Sequence, residues 1–176
     1  MGRLFDAVSS IAGICHRAEY DAQAALELEA AARRAGRVGG YPFAVDPGMP
    51  CLVDAAPVVA AAAADVLAGV DPAVVAARFQ QGVVDMVVTV AEHLRRRTGL
   101  GTATLSGGVF LNAFLTSGCA TALAARGFEV LRHERVPTSD AGIALGQVAV
   151  LAHAGSRQTT TSPGRSRPPE KETPCA

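Results

Sequence analysis

Residues 102–154 alternate strand, turn and helix in an order that leaves little choice of topology. TATL (102–105) is a short strand, SGG (106–108) a glycine turn, and a helix is expected from about Phe110 to Arg126, closed by Gly127. FEVLR (128–132) is a second strand, HERVPTSDAG (133–142) a loop, and a further helix is expected from about Asp140 to Ala154. Two strands joined by a single helix pair in parallel with a right-handed crossover, so this part of the chain is α/β. In an open parallel sheet, ligands gather beyond the carboxyl ends of the strands. The loops Ser106-Gly107-Gly108 and Thr138-Ser139-Asp140 leave two such ends. If the strands are neighbours, both loops edge one cleft.

The preceding residues are mostly helical. Leu4, Phe5, Val8, Ile11 and Ala12 recur at helical spacing up to Gly13. Starting inside such a pattern suggests a piece of a larger fold. A second helix is expected from Asp21, read as its cap, to Arg34, with Gly36 as the stop. YPFAV (41–45) and CLV (51–53) read as two short strands across a Pro/Gly turn. Pro57 opens an alanine-rich helix ending at Gly69. Asp71-Pro72 then combines a cap with proline at the first helical position, and opens a long helix to Thr98. Its basic end, Arg95-Arg96-Arg97, suits the negative helix pole and reads as a solvated terminus in preference to a phosphate site. Beyond Gly155 the composition turns polar, rich in proline and threonine. Residues 155–176 are therefore expected to be a disordered tail behind a domain of residues 1–154.

Charge and composition exclude several functions. The 16 basic residues balance the 16 acidic ones, so nothing calls for nucleic acid or an acidic membrane. Neither a signal peptide nor a membrane span is read from the sequence. The most apolar stretch, 57–70, is interrupted by Asp65 and is too short to cross a bilayer, so a cytoplasmic setting is expected. Cys15, Cys51, Cys119 and Cys175 show no paired spacing and read as reduced thiols. His16, His93, His133 and His153 lie in separate segments, with no spacing for a metal.

The two loops carry the chemistry. Paired glycines let a phosphate or nucleotide approach the backbone, and the following helix offers unpaired N–H groups. Asn112 brings a donor and an acceptor towards a ribose or base edge. Asp140 is a hard oxygen ligand at the cleft mouth. Each feature also has a plain structural reading, as a common turn or a helix cap, and both readings stay open at this level.

MGRLFDAV, YDAQAALELEAAA, LSGGVFLN and RVPTSDAGIALGQ stand in an order that resembles the C-terminal end of the HypF family, the carbamoyltransferases that mature nickel–iron hydrogenases. The resemblance covers about residues 1–153. It implies the second lobe of an actin-like, sugar-kinase-like (ASKHA) fold with added helices, related to the tRNA threonylcarbamoyl transferases. The activity it implies is ATP-dependent conversion of carbamoyl phosphate to carbamoyl-adenylate. The carbamoyl group then passes to the C-terminal cysteine of a partner dehydratase, which makes the cyanide ligand of the metal centre. On that resemblance Asp6 holds the nucleotide ribose, Gly107 and Gly108 flank its phosphate side, and Asn112 contacts the adenylate. Asp140 completes a divalent metal site (Mg, Fe or Zn) shared with two histidines of the first lobe. That lobe and the adenylate-forming module are not in this sequence, so the chain is expected to need a complementing polypeptide. It departs from the family at Ala22 and Ala141, where glycine is usual, and at Leu111, where glutamine is common. The alternatives are a tRNA threonylcarbamoyladenosine transferase-like protein, which shares the segments around Asp6 and Asn112, and a non-catalytic fragment.

Overall fold

The structure is a computed structural model that describes residues 1–48 and 50–158. The chain divides into two compact units, Met1–Asp140 and the residues from Ala141 onward.

The first unit is organised around one long helix. In chain order its elements are α1 (Gly2–Ile11), α2 (Gln23–Ala32), strands β1 (Ala44–Asp46) and β2 (Leu52–Asp54), α3 (Ala56–Leu67), α4 (Pro72–Thr98), β3 (Thr102–Leu105), α5 (Ala113–Ala125) and β4 (Glu129–Arg132). α4 packs against α1, α2, α3 and α5. Its ends follow the sequence signals. The Asp71 carboxylate accepts from the Ala73 N–H at 2.7 Å, and Gly99 closes the helix at φ 73°. Small residues bring the helix axes close: Ala24, Ala31 and Ala32 of α2 and Ala73, Ala76 and Ala77 of α4 are all buried. Phe79 of α4 meets Phe5 of α1 edge-on at 4.8 Å, filling the centre of the core.

β3 and β4 pair in parallel, with Thr102 opposite Glu129 and Leu105 opposite Arg132, as the strand–helix–strand order requires. β1 and β2 form a separate antiparallel ribbon with Val45 opposite Val53. That ribbon is shorter than YPFAV suggested. Tyr41 belongs to the core, where its hydroxyl donates to Asp65 at 2.5 Å and Arg78 donates to the same oxygen at 2.6 Å. Burial, with Asp65 as second cause, pushes the Tyr41 phenol well above its usual range. The bond from Tyr41 is the largest cause holding Asp65 below its own.

Three other elements differ from the sequence expectation. α2 starts at Gln23, and the residue before it, Ala22, is left-handed at φ 61°, so Asp21 is not its cap. A single 3-10 turn, Gly108–Leu111, precedes α5, and so the helix begins at Ala113. The arginines ending α4 are not merely solvated. Arg95 lies 4.1 Å over the Phe128 ring and donates to the Arg126 carbonyl, while Arg97 donates to the Pro47 carbonyl. Among the described residues α4 alone is long and apolar enough to cross a membrane, by length and composition. Yet 56% of its most apolar window is buried inside the protein.

The second unit contains α6 (Ile143–Gln158), preceded by a short 3-10 turn at Asp140–Gly142. The helix therefore runs past Ala154, and the rest of the expected tail, with Cys175, lies outside the described residues.

Candidate functional site

The loops that leave β3 and β4 are fastened to each other. Gly107 adopts φ 98°, a backbone shape that favours glycine, and its N–H donates to the Thr138 carbonyl at 2.9 Å. The Thr138 hydroxyl returns a bond to the Gly107 carbonyl at 3.2 Å. Ser106 and His133, one residue beyond each strand, share a hydrogen bond of 2.9 Å. The prediction that both loops edge one cleft follows from this pairing.

Behind the loops, Asn112 has two structural bonds. Its Oδ1 accepts from the Leu115 N–H at 3.0 Å, capping α5, and its Nδ2 donates to Gln80 Oε1 at 3.0 Å. Gln80 is fully buried and donates in turn to the Leu28 carbonyl at 3.2 Å. One amide hydrogen and one oxygen lone pair of Asn112 remain for a ligand.

A cavity of about 700 Å³ opens beside these elements, a size that suits a drug-sized ligand or cofactor. α1 contributes Gly2 and Phe5, and α2 and its approach contribute Asp21, Ala22, Ala25, Leu26 and Glu29. The first loop contributes Gly108, Val109, Leu111 and Asn112, and the second Ser139 and Asp140. Of the residues singled out from the sequence, Gly108, Asn112 and Asp140 thus meet at one wall. Asp6 and Gly107 are both exposed, and neither is among the residues that line the cavity.

Glu29 and Gln80 escaped the sequence reading. Glu29 lies within an alanine–leucine run on α2, and a charged residue inside such a run is the one signal that could have raised it. Its burial at 7% exposure depends on α5, 84 residues away, whose Ala113 N–H it accepts at 3.1 Å.

No group of three or more His, Cys, Asp or Glu side chains converges among the described residues. Asp140 offers a single carboxylate, which does not by itself fit a metal centre.

The family model for the carbamoyltransferase Kae1-like domain, second subdomain, matches residues 1–147. The chain belongs to this family. Carbamoyltransferase HypF of Synechocystis sp. is 30% identical over 159 residues, which are 90% of this chain and 20% of that protein. The HypF homolog of Cupriavidus necator is 34% identical over 99% of this chain and 45% of its own length. A full-length HypF solved in its phosphate- and nucleotide-bound form superposes with a TM-score of 0.79 at 31% identity, over 88% of this chain and 20% of that one. The Kae1-like chain thus spans about one fifth of the first of these relatives and of the solved HypF.

The family's departures can now be placed. Ala22, where the family resemblance led one to expect glycine, is the one non-glycine residue at positive φ among the described residues. Ala141 is not at positive φ, so its methyl carries no such strain. Leu111, where glutamine is common, stands 64% exposed on the cavity wall.

Proposed function

We propose that this chain supplies the nucleotide-holding part of a carbamoyltransferase active site. The observation that carries the reading is the cavity that gathers Gly108, Asn112 and Asp140, in a chain 31% identical to a HypF that was solved with nucleotide bound. In this reading carbamoyl phosphate loses inorganic phosphate to water, and the carbamate so formed attacks the α-phosphorus of ATP, expelling pyrophosphate and giving carbamoyl-adenylate. The carbamoyl carbon is then attacked by the C-terminal cysteine thiolate of a partner hydrogenase-maturation dehydratase; a C–S bond forms and AMP leaves. Gly108 lets the ligand approach the backbone, Asn112 offers its free donor and acceptor, and the apolar wall gives the ligand a dry surface to lie against. Asp6 reaches the ribose and Gly107 the phosphate side only if the ligand extends beyond the cavity. Asp140 contributes one oxygen to a divalent metal whose other ligands come from a complementing lobe. The setting is the cytoplasm.

Binding of AMP and ATP to the purified chain, measured by calorimetry, tests the reading. Leu111→Glu is the informative variant, because Leu111 is largely exposed and a carboxylate there sets a negative charge against the nucleotide. A loss of affinity of about tenfold, or about 1.4 kcal/mol, is expected. A folded chain that binds neither nucleotide overturns the proposal. Asn112→Ala is the poorer choice, since it removes a helix cap and leaves the buried Gln80 Oε1 without its donor.

A further inference from the structure

Three carboxylates line the cavity, and one is unlike the others. Asp140 and Asp21 are exposed, whereas Glu29 is 7% exposed and sits at the amino end of α5. Its Oε1 takes both of its bonds, from the Ala113 N–H at 3.1 Å and from Arg33 at 2.5 Å. The α5 amino pole, the end of a helix that attracts phosphate, is therefore already held by an anion of the chain itself. Oε2 has no hydrogen-bond partner among the described residues. Nor is it among the side-chain atoms sealed from solvent without a partner, which are Ser9 Oγ and His93 Nε2. Oε2 is thus the unpaired oxygen of a residue that lines the cavity.

We propose that Glu29 is a specificity residue that reads an amino group, so that the cavity takes the base end of a nucleotide bearing an exocyclic amine and leaves the phosphates outside. This rests on the nucleotide reading above. An ionised carboxylate only accepts hydrogen bonds. It meets an –NH2 group with a charge-assisted bond and meets a ring carbonyl with acceptor against acceptor, leaving a desolvated oxygen unpaired. The remaining walls suit a flat ring: Phe5, Leu26, Val109 and Leu111 are apolar, and among the described residues no lysine or arginine lines the cavity to receive phosphates. A volume of about 700 Å³ is also far larger than a carbamoyl group needs.

The test is calorimetric titration of the full chain with adenosine, inosine and AMP, for the wild type and for Glu29→Gln. The wild type should bind adenosine about tenfold or more tightly than inosine, in which a carbonyl replaces the amine and the only donor of that edge moves to N1–H, out of register with a carboxylate placed for the amine. In Glu29→Gln the amide oxygen can keep the Ala113 bond while the amide –NH2 faces the cavity, so the preference should vanish or reverse towards inosine. Equal weakening of both nucleosides in the variant would reduce Glu29 to a helix cap and overturn the proposal. So would equal binding of the two by the wild type, or AMP binding without nucleoside binding, and in both cases the nucleotide reading survives. Failure of all three ligands to bind overturns both. The wild-type comparison needs no variant, so an unstable Glu29→Gln does not protect the idea.

Discussion

At Ala22 the backbone is left-handed, with φ 61°, on the lip of the cavity. A Cβ in that conformation crowds the following carbonyl, at a cost of about 1 kcal/mol or more, and glycine avoids it. Ala22→Gly should therefore stabilise the protein by about 0.5–1 kcal/mol, seen as a melting temperature higher by about 1–4 °C. An unchanged or lower melting temperature would mean that the strain is relieved in some other way. The same residue shows what the sequence could and could not reveal. The family's usual glycine marked the position as unusual, but Asp21 beside it had the look of a cap. Only the backbone angle tells that the chain turns left-handed before α2 begins. Glu29 is a similar case, since its contact with Ala113 is made across the fold.

Helix α4 was legible at both ends, because Asp71-Pro72 and Gly99 are local signals that need no tertiary partner. Its middle was not. Gly82 is a poor helix former, and the reason for it is long-range: Tyr41 crosses here, its N–H donating to the Arg78 carbonyl at 3.0 Å. A Cβ on Gly82 would overlap the Tyr41 carbonyl oxygen, which is backbone and cannot swing away. Gly82→Ala gains about 1 kcal/mol of helix propensity but forces the two backbones apart. The net expectation is a loss of about 1–2 kcal/mol, measurable as a lower denaturation midpoint at unchanged slope. A stabilised variant would show that the two backbones separate at the crossing without cost. α5 starts three residues later than the helical pattern from Phe110 suggests, for a related reason. Phe110 and Leu111 fit a helical pattern, but they form a 3-10 turn, and Asn112 spends its side chain on capping the true helix.

For the molecule as a whole, the parallel pair β3–β4, the crossover helix between them and the meeting of Gly108, Asn112 and Asp140 were readable from order and spacing alone. Segments linked by a short crossover have few ways to pack. The core position of Tyr41 was not readable, because YPFAV has the composition of a strand and only the distant Asp65 and Arg78 draw its first residue inward. That buried phenol sets the response of the fold to alkali. Its pKa is raised in the folded state, so the native protein keeps a proton that the unfolded chain gives up near pH 10. The associated stability is intact below that pH and is lost as pH rises above it. The Cys119 thiol, pushed up from 9.0 to about 11 by burial, acts in the same direction from a slightly lower pH. Thermal melts between pH 8 and 11 should show a steep fall in stability, and Tyr41→Phe should flatten the part above pH 10. An identical slope in the variant would assign the alkaline loss to Cys119 and other groups.

The two hydrogen bonds between Gly107 and Thr138 have a mechanical consequence. They tie the loop after β3 to the middle of the loop after β4, one bond backbone to backbone and one from the threonine hydroxyl. Spreading these two loops to admit a guest would break both ties at once.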